Sequence, residues 1–173
     1  MIRTIRRKPK IYISDLRIKV MNKDQLIHYL VGFADGESCF CIALKNQKSA
    51  RVKWVLDPVF HVTQHSKSKD ILYEFQKLLE CGTLIKKYGQ ENTMQFVVQS
   101  RIDLVNKIIP FFRKYKLWTK QKDFEIFADV VEKLDQHAHK DINEFKKLLK
   151  KIFKMNGEGK QRRYKLNDIL ETL

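Results

Sequence analysis

An apolar helical run that stops abruptly on acids constrains this chain more than any other feature. In residues 26–40, LIHYLVGFADGESCF, the greasy run gives way at Asp35-Gly36-Glu37 and an alternating segment follows at once. Asn22 is placed to cap the run, and Gln25 three residues on completes a capping-box pattern. Leu26, Ile27, Leu30, Val31, Phe33 and Ala34 are too many for one narrow stripe, which predicts a helix buried on several sides. Gly32 and Gly36 are four apart and share one face; small residues at that spacing let two helix backbones approach closely. Close approach sets two helix ends side by side, each carrying Asp35 and Glu37. Paired carboxylates suit divalent cations such as Mg²⁺, a hard ion that takes oxygen ligands. A core helix with a glycine C-cap and solvated acids after it explains the spacing alone at least as well.

Composition narrows the partner. The chain has 173 residues, enough for one domain with a real core, and its 43% apolar content marks a globular protein. A formal charge of +15 points to a polyanion, nucleic acid first, although a ribosomal or membrane-surface protein would share it. No apolar run approaches the ~18 residues that span a bilayer, so a soluble protein is expected. Cys39, Cys41 and Cys81 give neither a disulfide framework nor a repeated CxxC zinc pattern, as expected of a reducing compartment. His137-Ala138-His139 has no cysteine nearby and reads as a polar inter-helix loop.

The segment Leu30-Val31-Gly32-Phe33-Ala34-Asp35-Gly36-Glu37-Ser38 resembles the LAGLIDADG motif of homing endonucleases, in the form L-x-G-F-x-[DE]-G-[DE]. The resemblance extends over roughly residues 23–153. It is greatest to single-motif enzymes encoded in group I introns of chloroplast and other organellar ribosomal RNA genes, so an organelle is expected, chloroplast ahead of mitochondrion. Ser38 departs from the glycine of many members; Glu37 in place of aspartate keeps an oxygen ligand.

Along the chain, residues 1–23 carry eight Lys or Arg against one acid, Asp15. They read as a basic arm on the DNA backbone or as a solvated terminus; a transit peptide would carry more serine. Residues 24–156 form the single domain, and 157–173 a tail, mobile at first, with a short helix from Leu166. Residues 39–44 alternate with period two and predict a strand, a basic loop spans 46–53, and a return strand runs from about Trp54 to Gln64 with Pro58 marking an irregularity or an edge. Ser68 is placed to cap an amphipathic helix carrying Ile71, Leu72, Phe75, Leu78 and Leu79, with Gly82 just past its end. A second hairpin follows, 83–87 and 93–99 around Gly89-Gln90-Glu91-Asn92. Ser100 with Asp103 predicts the next cap, on a helix that stops or kinks near Pro110. Helices over 119–134 and 141–153 complete the core. This order is α+β, helices on one face of an antiparallel sheet, and it agrees with the αββαββα LAGLIDADG fold, a saddle-shaped sheet over DNA, that the resemblance implies.

The sheet's other face is then the reading surface, since an antiparallel ribbon fits the major groove. Its candidates are Lys45, Gln47, Asp57, His61, Thr63, Thr83, Lys87, Gln95 and Gln99, with Cys39, Cys41, Val59, Ile85 and Val97 set to meet thymine methyls or bridging water. Each good bidentate base contact is worth ~1–3 kcal/mol of discrimination. An ordinary solvated face is the competing reading, weakened by the apolar residues among them.

With one motif helix in the chain, Gly32, Gly36 and Phe33 are expected to pair with the same helix of a second copy, a C2 homodimer on a pseudo-palindromic site. The resemblance implies that Glu37 and the Gly36 carbonyl bind Mg²⁺, that Gln64 orders active-site water and that Lys120, in Lys116-Leu117-Trp118-Thr119-Lys120-Gln121-Lys122, sits near the scissile phosphate. It also implies cleavage of both strands across the minor groove with short 3′ overhangs. The family's basic residue four after the glutamine is Ser68 here, and Lys67 or Lys69 stands in for it. The partners expected are double-stranded DNA and a second copy, with no membrane and no small-molecule cofactor. The alternatives are an intron maturase or nuclease-dead binding relative, and a structural ribonucleoprotein component supported by charge alone.

Overall fold

The computed structural model describes residues 21–47, 52–157 and 162–173. The basic arm expected over 1–23 therefore lies almost wholly outside the described residues. The elements are α1 (Lys23–Glu37), β1 (Ser38–Asn46), β2 (Trp54–His65), α2 (Asp70–Leu79), β3 (Thr83–Lys86), β4 (Thr93–Val98), α3 (Arg101–Asp103), a π-helical stretch Leu104–Ile108, α4 (Ile109–Lys114), α5 (Gln121–Asp135), α6 (Ile142–Ile152) and α7 (Leu166–Glu171). The four strands form one antiparallel sheet in the order β1-β2-β4-β3, and the helices cover one face, the expected layout.

Alternation positions that face. In β1 and β2 buried and half-buried residues alternate, so Phe40, Ile42, Leu56, Phe60 and Val62 point to the helices. Phe40 is the hub. Its ring lies 5.0 Å from Phe60, 5.3 Å from Phe112 and Phe124 and 5.4 Å from Phe127, pairs that contribute roughly 0.5–1.5 kcal/mol each beyond area burial. The α1 cap forms as expected: Gln25 N donates to Asn22 Oδ1 and Asn22 N to Gln25 Oε1, both at 2.9 Å.

Two local expectations change and two are met in a more specific form. Ser68 caps nothing; it ends a 3-10 turn, Ser66–Ser68, and Lys69 starts α2 with no side-chain cap. The helix before Pro110 does not stop there. It widens into the π stretch, with Ile109 N donating to Leu104 O, and continues to Lys114; the wider turn accommodates the proline ring and its missing donor. Pro58 leaves β2 unbroken. The Ile42 carbonyl opposite it points out of the β1–β2 ladder, to Arg162. Pro58 nitrogen therefore faces the other edge of β2, where pairing with β4 begins only at Phe60. Lastly, the short helix expected from Leu166 forms as α7, and the described part of the tail is anchored. Ile169 is fully buried, Trp54 Nε1 donates to Thr172 Oγ1 at 2.8 Å, and Arg162 donates to Ile42 O and Ile152 O at 2.9 Å each. Asn156 Nδ2, on Phe40 O at 2.9 Å, and Arg162 together satisfy two outward carbonyls on the open edge of β1, a place otherwise free to pair with another strand.

Gly82 is required where it stands. It has φ +77°, and a Cβ there would lie 2.4 Å from the Phe96 ring and 2.9 Å from Val97 O, so only glycine lets α2 return closely into β3.

Candidate active site

Everything at the end of α1 follows from one helix with two unlike sides. Ile27, Leu30, Val31 and Ala34 are buried. The opposite side, with Tyr29, Gly32 and Gly36, is exposed. The expectation of burial on several sides fails within one chain: α1 packs on one arc only. A Cβ at Gly32 or Gly36 would meet nothing within 4 Å, so the chain's own packing does not require either glycine. Phe33, expected on the pairing face, leans instead on Phe75 of α2, with ring centroids 6.2 Å apart.

The two acids separate. Asp35 turns back onto its own chain, where Thr119 N donates to both carboxylate oxygens at 3.0 and 2.9 Å and Lys120 N donates to Oδ1 at 3.0 Å. Thr119 Oγ1 donates to Asp35 O at 3.2 Å. Asp35 thereby holds the backbone that leads into α5, at Thr119 and the Lys120 cap position. Burial raises its pKa, but the Thr119 and Lys120 N–H donors outweigh it and hold the carboxyl below its ordinary value. Glu37, the last residue of α1, is exposed and makes no hydrogen bond or ion pair with any described residue.

Lys120 is drawn over the same helix end. Its Nζ donates to Ser38 O at 2.6 Å and Gly36 O at 2.8 Å, and lies 3.4 Å from Ala34 O. The last carbonyls of a helix lack partners and carry the negative end of its dipole, so a cation is stable there. Burial lowers the Lys120 pKa, against the opposing pull of Cys39, Asp35 and Glu37. Gln64 lies at the same end of the sheet: β1–β2 register pairs Ser38 with Val62, so Gln64, two residues on, flanks the α1 terminus. Its Oε1 accepts from His65 N at 2.6 Å. Lys67 is in the 3-10 turn after β2 and Lys69 opens α2.

The outer sheet face carries the expected reading residues in one array. Cys39, Cys41 and Lys45 of β1, Asp57, His61 and Thr63 of β2, Thr83 and Ile85 of β3 and Gln95 of β4 share it by register. Gln47, Lys87 and Gln99 fall one residue beyond their strands. Several are engaged with each other: Lys45 pairs with Asp57, and Gln95 Nε2 donates to Thr63 Oγ1 at 3.0 Å. Ile85 is 46% exposed, an apolar group open to a ligand, whereas Val97 is buried between its neighbours. The Cys39 thiol bonds the Cys41 sulfur, which lowers the Cys41 pKa to about 7 and raises that of Cys39. Burial, then Lys87 and Lys120, push the His61 pKa below its ordinary value.

The family model described as LAGLIDADG endonuclease matches residues 30–131. The chain belongs to the LAGLIDADG endonuclease family. Homing endonuclease I-ApeII of Aeropyrum pernix is 29% identical over 157 residues, 88% of this chain and 93% of that protein. DNA endonuclease I-CeuI of Chlamydomonas moewusii is 28% identical over 144 residues, 77% of this chain and 65% of that protein. Among solved structures, an archaeal intron-encoded homing endonuclease, I-Vdi141I, complexed with DNA, superposes with a TM-score of 0.81 at 32% identity, covering 87% of this chain and 96% of that one. The LAGLIDADG helix is thus α1, and the saddle is the outer face of β1–β4. Among the described residues no helix is long and apolar enough to cross a membrane.

Sequence reasoning missed two residues of this LAGLIDADG site. Asp35 was grouped with Glu37, although they stand two positions apart on α1, about 200° around the helix, and so point to nearly opposite sides. Trp118 was passed over; it is 93% exposed on the segment that Asp35 pins beside Glu37.

Proposed function

We propose that this chain is a site-specific homing endonuclease that acts as a C2 homodimer. It hydrolyses one phosphodiester in each strand of a long pseudo-palindromic DNA site with Mg²⁺, leaves short 3′ overhangs and so promotes mobility of its own intron. The observation that carries this reading is the free Glu37 carboxylate beside an exposed glycine face, where Asp35 and Lys120 are both committed to their own subunit.

Glu37 and the Gly36 carbonyl are hard oxygen donors of the kind Mg²⁺ takes. Among the described residues no group of three or more His, Cys, Asp or Glu within one chain can hold a metal. Two-fold pairing on Gly32 and Gly36 would bring two copies of Glu37 and of the Gly36 carbonyl together. The Gly36 oxygen has a second lone pair beside the one Lys120 uses, so it remains a ligand. When bound, Mg²⁺ stabilises charge on the attacking and leaving oxygens. Gln64 would orient the water, Lys120 would offset charge on the phosphate, and the outer-face array would read bases from the groove.

An organelle, chloroplast ahead of mitochondrion, is part of the proposal; the Chlamydomonas moewusii relative supports it and the archaeal relatives weigh against it. The test is incubation with Mg²⁺ and an intronless target gene. Linear product that disappears in Glu37→Gln, with binding kept, is expected. Tight binding of an intact target would point instead to a maturase or nuclease-dead relative.

A further inference from the structure

Away from the cleavage centre, a cavity of about 270 Å³ opens where β4 leaves the first half of β2 unpaired. Trp54, Leu134 and Phe145 wall it, and Arg101, His139 and Lys140 are its only charged or polar lining among the described residues. Arg101 opens α3, while His139 and Lys140 belong to the 3-10 turn between α5 and α6. Arg101 Nε and His139 Nδ1 are both buried with no hydrogen-bond partner. Two carboxylates, Asp57 and Asp135, are near enough for Arg101 to feel, but neither forms an ion pair with it, and Asp57 is engaged by Lys45. His139 is surrounded by like charge: Arg101, His137 and Lys140, together with burial, all disfavour its protonation.

A half-buried guanidinium with no acceptor is a costly arrangement, and an orphaned buried donor calls for a missing partner. Here an unpartnered guanidinium Nε and an unpartnered imidazole Nδ1 line one cavity, with a lysine beside them, and no described acceptor reaches Arg101 Nε. We propose that this cavity is a phosphate-binding site, in which Arg101 and His139 donate to phosphate oxygens and Lys140 closes the mouth. A tetrahedral oxyanion presents separate oxygens to three donors, whereas a carboxylate presents two. Arginine favours phosphate for its matched, bidentate fork, and the apolar walls strengthen each contact by lowering the local dielectric. The phosphate has two possible sources of the same chemistry: a DNA backbone group flanking the reading ribbon, or a free phosphate.

The test follows the imidazole signals of the full chain by NMR, with His139 assigned through His139→Gln, during titration with inorganic phosphate and separately with a non-specific DNA duplex. Saturable movement of His139 with phosphate, a higher titration midpoint and loss of both in Arg101→Gln are expected. A backbone source is marked by the duplex displacing phosphate, and by Arg101→Gln binding DNA several-fold more weakly with a salt slope smaller by about 0.9, one phosphate contact. A free-phosphate source is marked by the phosphate response persisting in the DNA complex with the salt slope unchanged. Arg101→Lys, which keeps the charge and loses the fork, covers failure of Arg101→Gln to fold and is expected to respond weakly. His139 unmoved by both phosphate and duplex, or Arg101 variants responding like the wild type, overturns the proposal, and leaves the endonuclease reading intact because that reading uses neither residue.

Discussion

Asp35→Ala separates the two acids of the motif most directly. Asp35 accepts from two backbone donors in three contacts of 2.9–3.0 Å. A hydrogen bond to a charged group contributes about 1.5–3 kcal/mol, so two donors set an upper bound of about 3–6 kcal/mol. The carboxylate is only half-buried, and water replaces part of what is lost; about 2–3 kcal/mol is the expected cost. For a chain of this length that lowers Tm by roughly 4–12 °C. The functional loss should exceed the loss of folded protein. The same carboxylate fixes the backbone of Lys120, whose Nζ lies over Gly36 and Ser38, so cleavage by the fully folded variant should slow at least about tenfold, or 1.4 kcal/mol, with DNA affinity nearly kept. Asp35→Asn retains one acceptor and should fall between. The pH dependence has a fixed sign. The folded pKa is depressed, so the stabilisation is fully present above the unfolded value of about 3.9 and is lost as pH falls through the folded value. The wild-type advantage over Asp35→Asn should therefore shrink only in acid. Urea unfolding and single-turnover cleavage measure both effects. A variant that unfolds and cuts like the wild type refutes the division of labour.

Gly32→Leu places a side chain where a Cβ meets nothing within 4 Å and replaces a poor helix former, so the single chain should gain about 0.5–1 kcal/mol while sedimentation shows the dimer lost. Lys120→Met leaves the Gly36 and Ser38 carbonyls without their cation; the cleavage rate should fall, and the Mg²⁺ concentration giving half-maximal rate should fall with it, since no ammonium remains to repel the ion. Arg162→Met removes two charge-assisted bonds, to Ile42 O and Ile152 O, and should cost about 2–4 kcal/mol in urea unfolding, without altering the stoichiometry of the complex.

The sheet was legible because period two is a strict rule. Every residue from Cys39 to Leu44 and most of β2 fell on the expected face, and one-residue slips would have inverted the surface. The helix α1 was legible in position and capping but not in environment, because a densely apolar sequence does not say which of its faces is covered by its own chain. Phe33 and Phe75 show this: their contact joins elements far apart in sequence, and nothing in the motif announces it. Ser68 as a cap and Pro110 as a helix stop failed for a different reason. Each obeyed a local preference that a neighbouring device, the 3-10 turn or the π stretch, displaced. In the tail the short helix from Leu166 was legible, but the anchoring by Arg162 was not, because its partners lie on two distant elements.

The organisation of the site also follows from what the chain leaves unfinished. A stable monomer has no use for a 93%-exposed tryptophan on a pinned segment, a half-exposed Tyr29, or two helix glycines facing empty space. All four lie around the end of α1 or along its open face. Asp35 and Lys120 are engaged within the chain, whereas Glu37 is exposed and has no described hydrogen-bond or ion-pair partner. Two such surfaces meeting face to face would exclude water from both Glu37 groups, where like charge makes the pair costly unless a cation lies between them. In the proposed homodimer, tight pairing would therefore depend on cation and, through the +15 charge of each chain, on the DNA that neutralises it. Dimer affinity should rise with Mg²⁺ or Ca²⁺ in the wild type and lose that dependence in Glu37→Gln, where an uncharged amide removes the repulsion; an equal cation response in both would show that Glu37 does not face its counterpart.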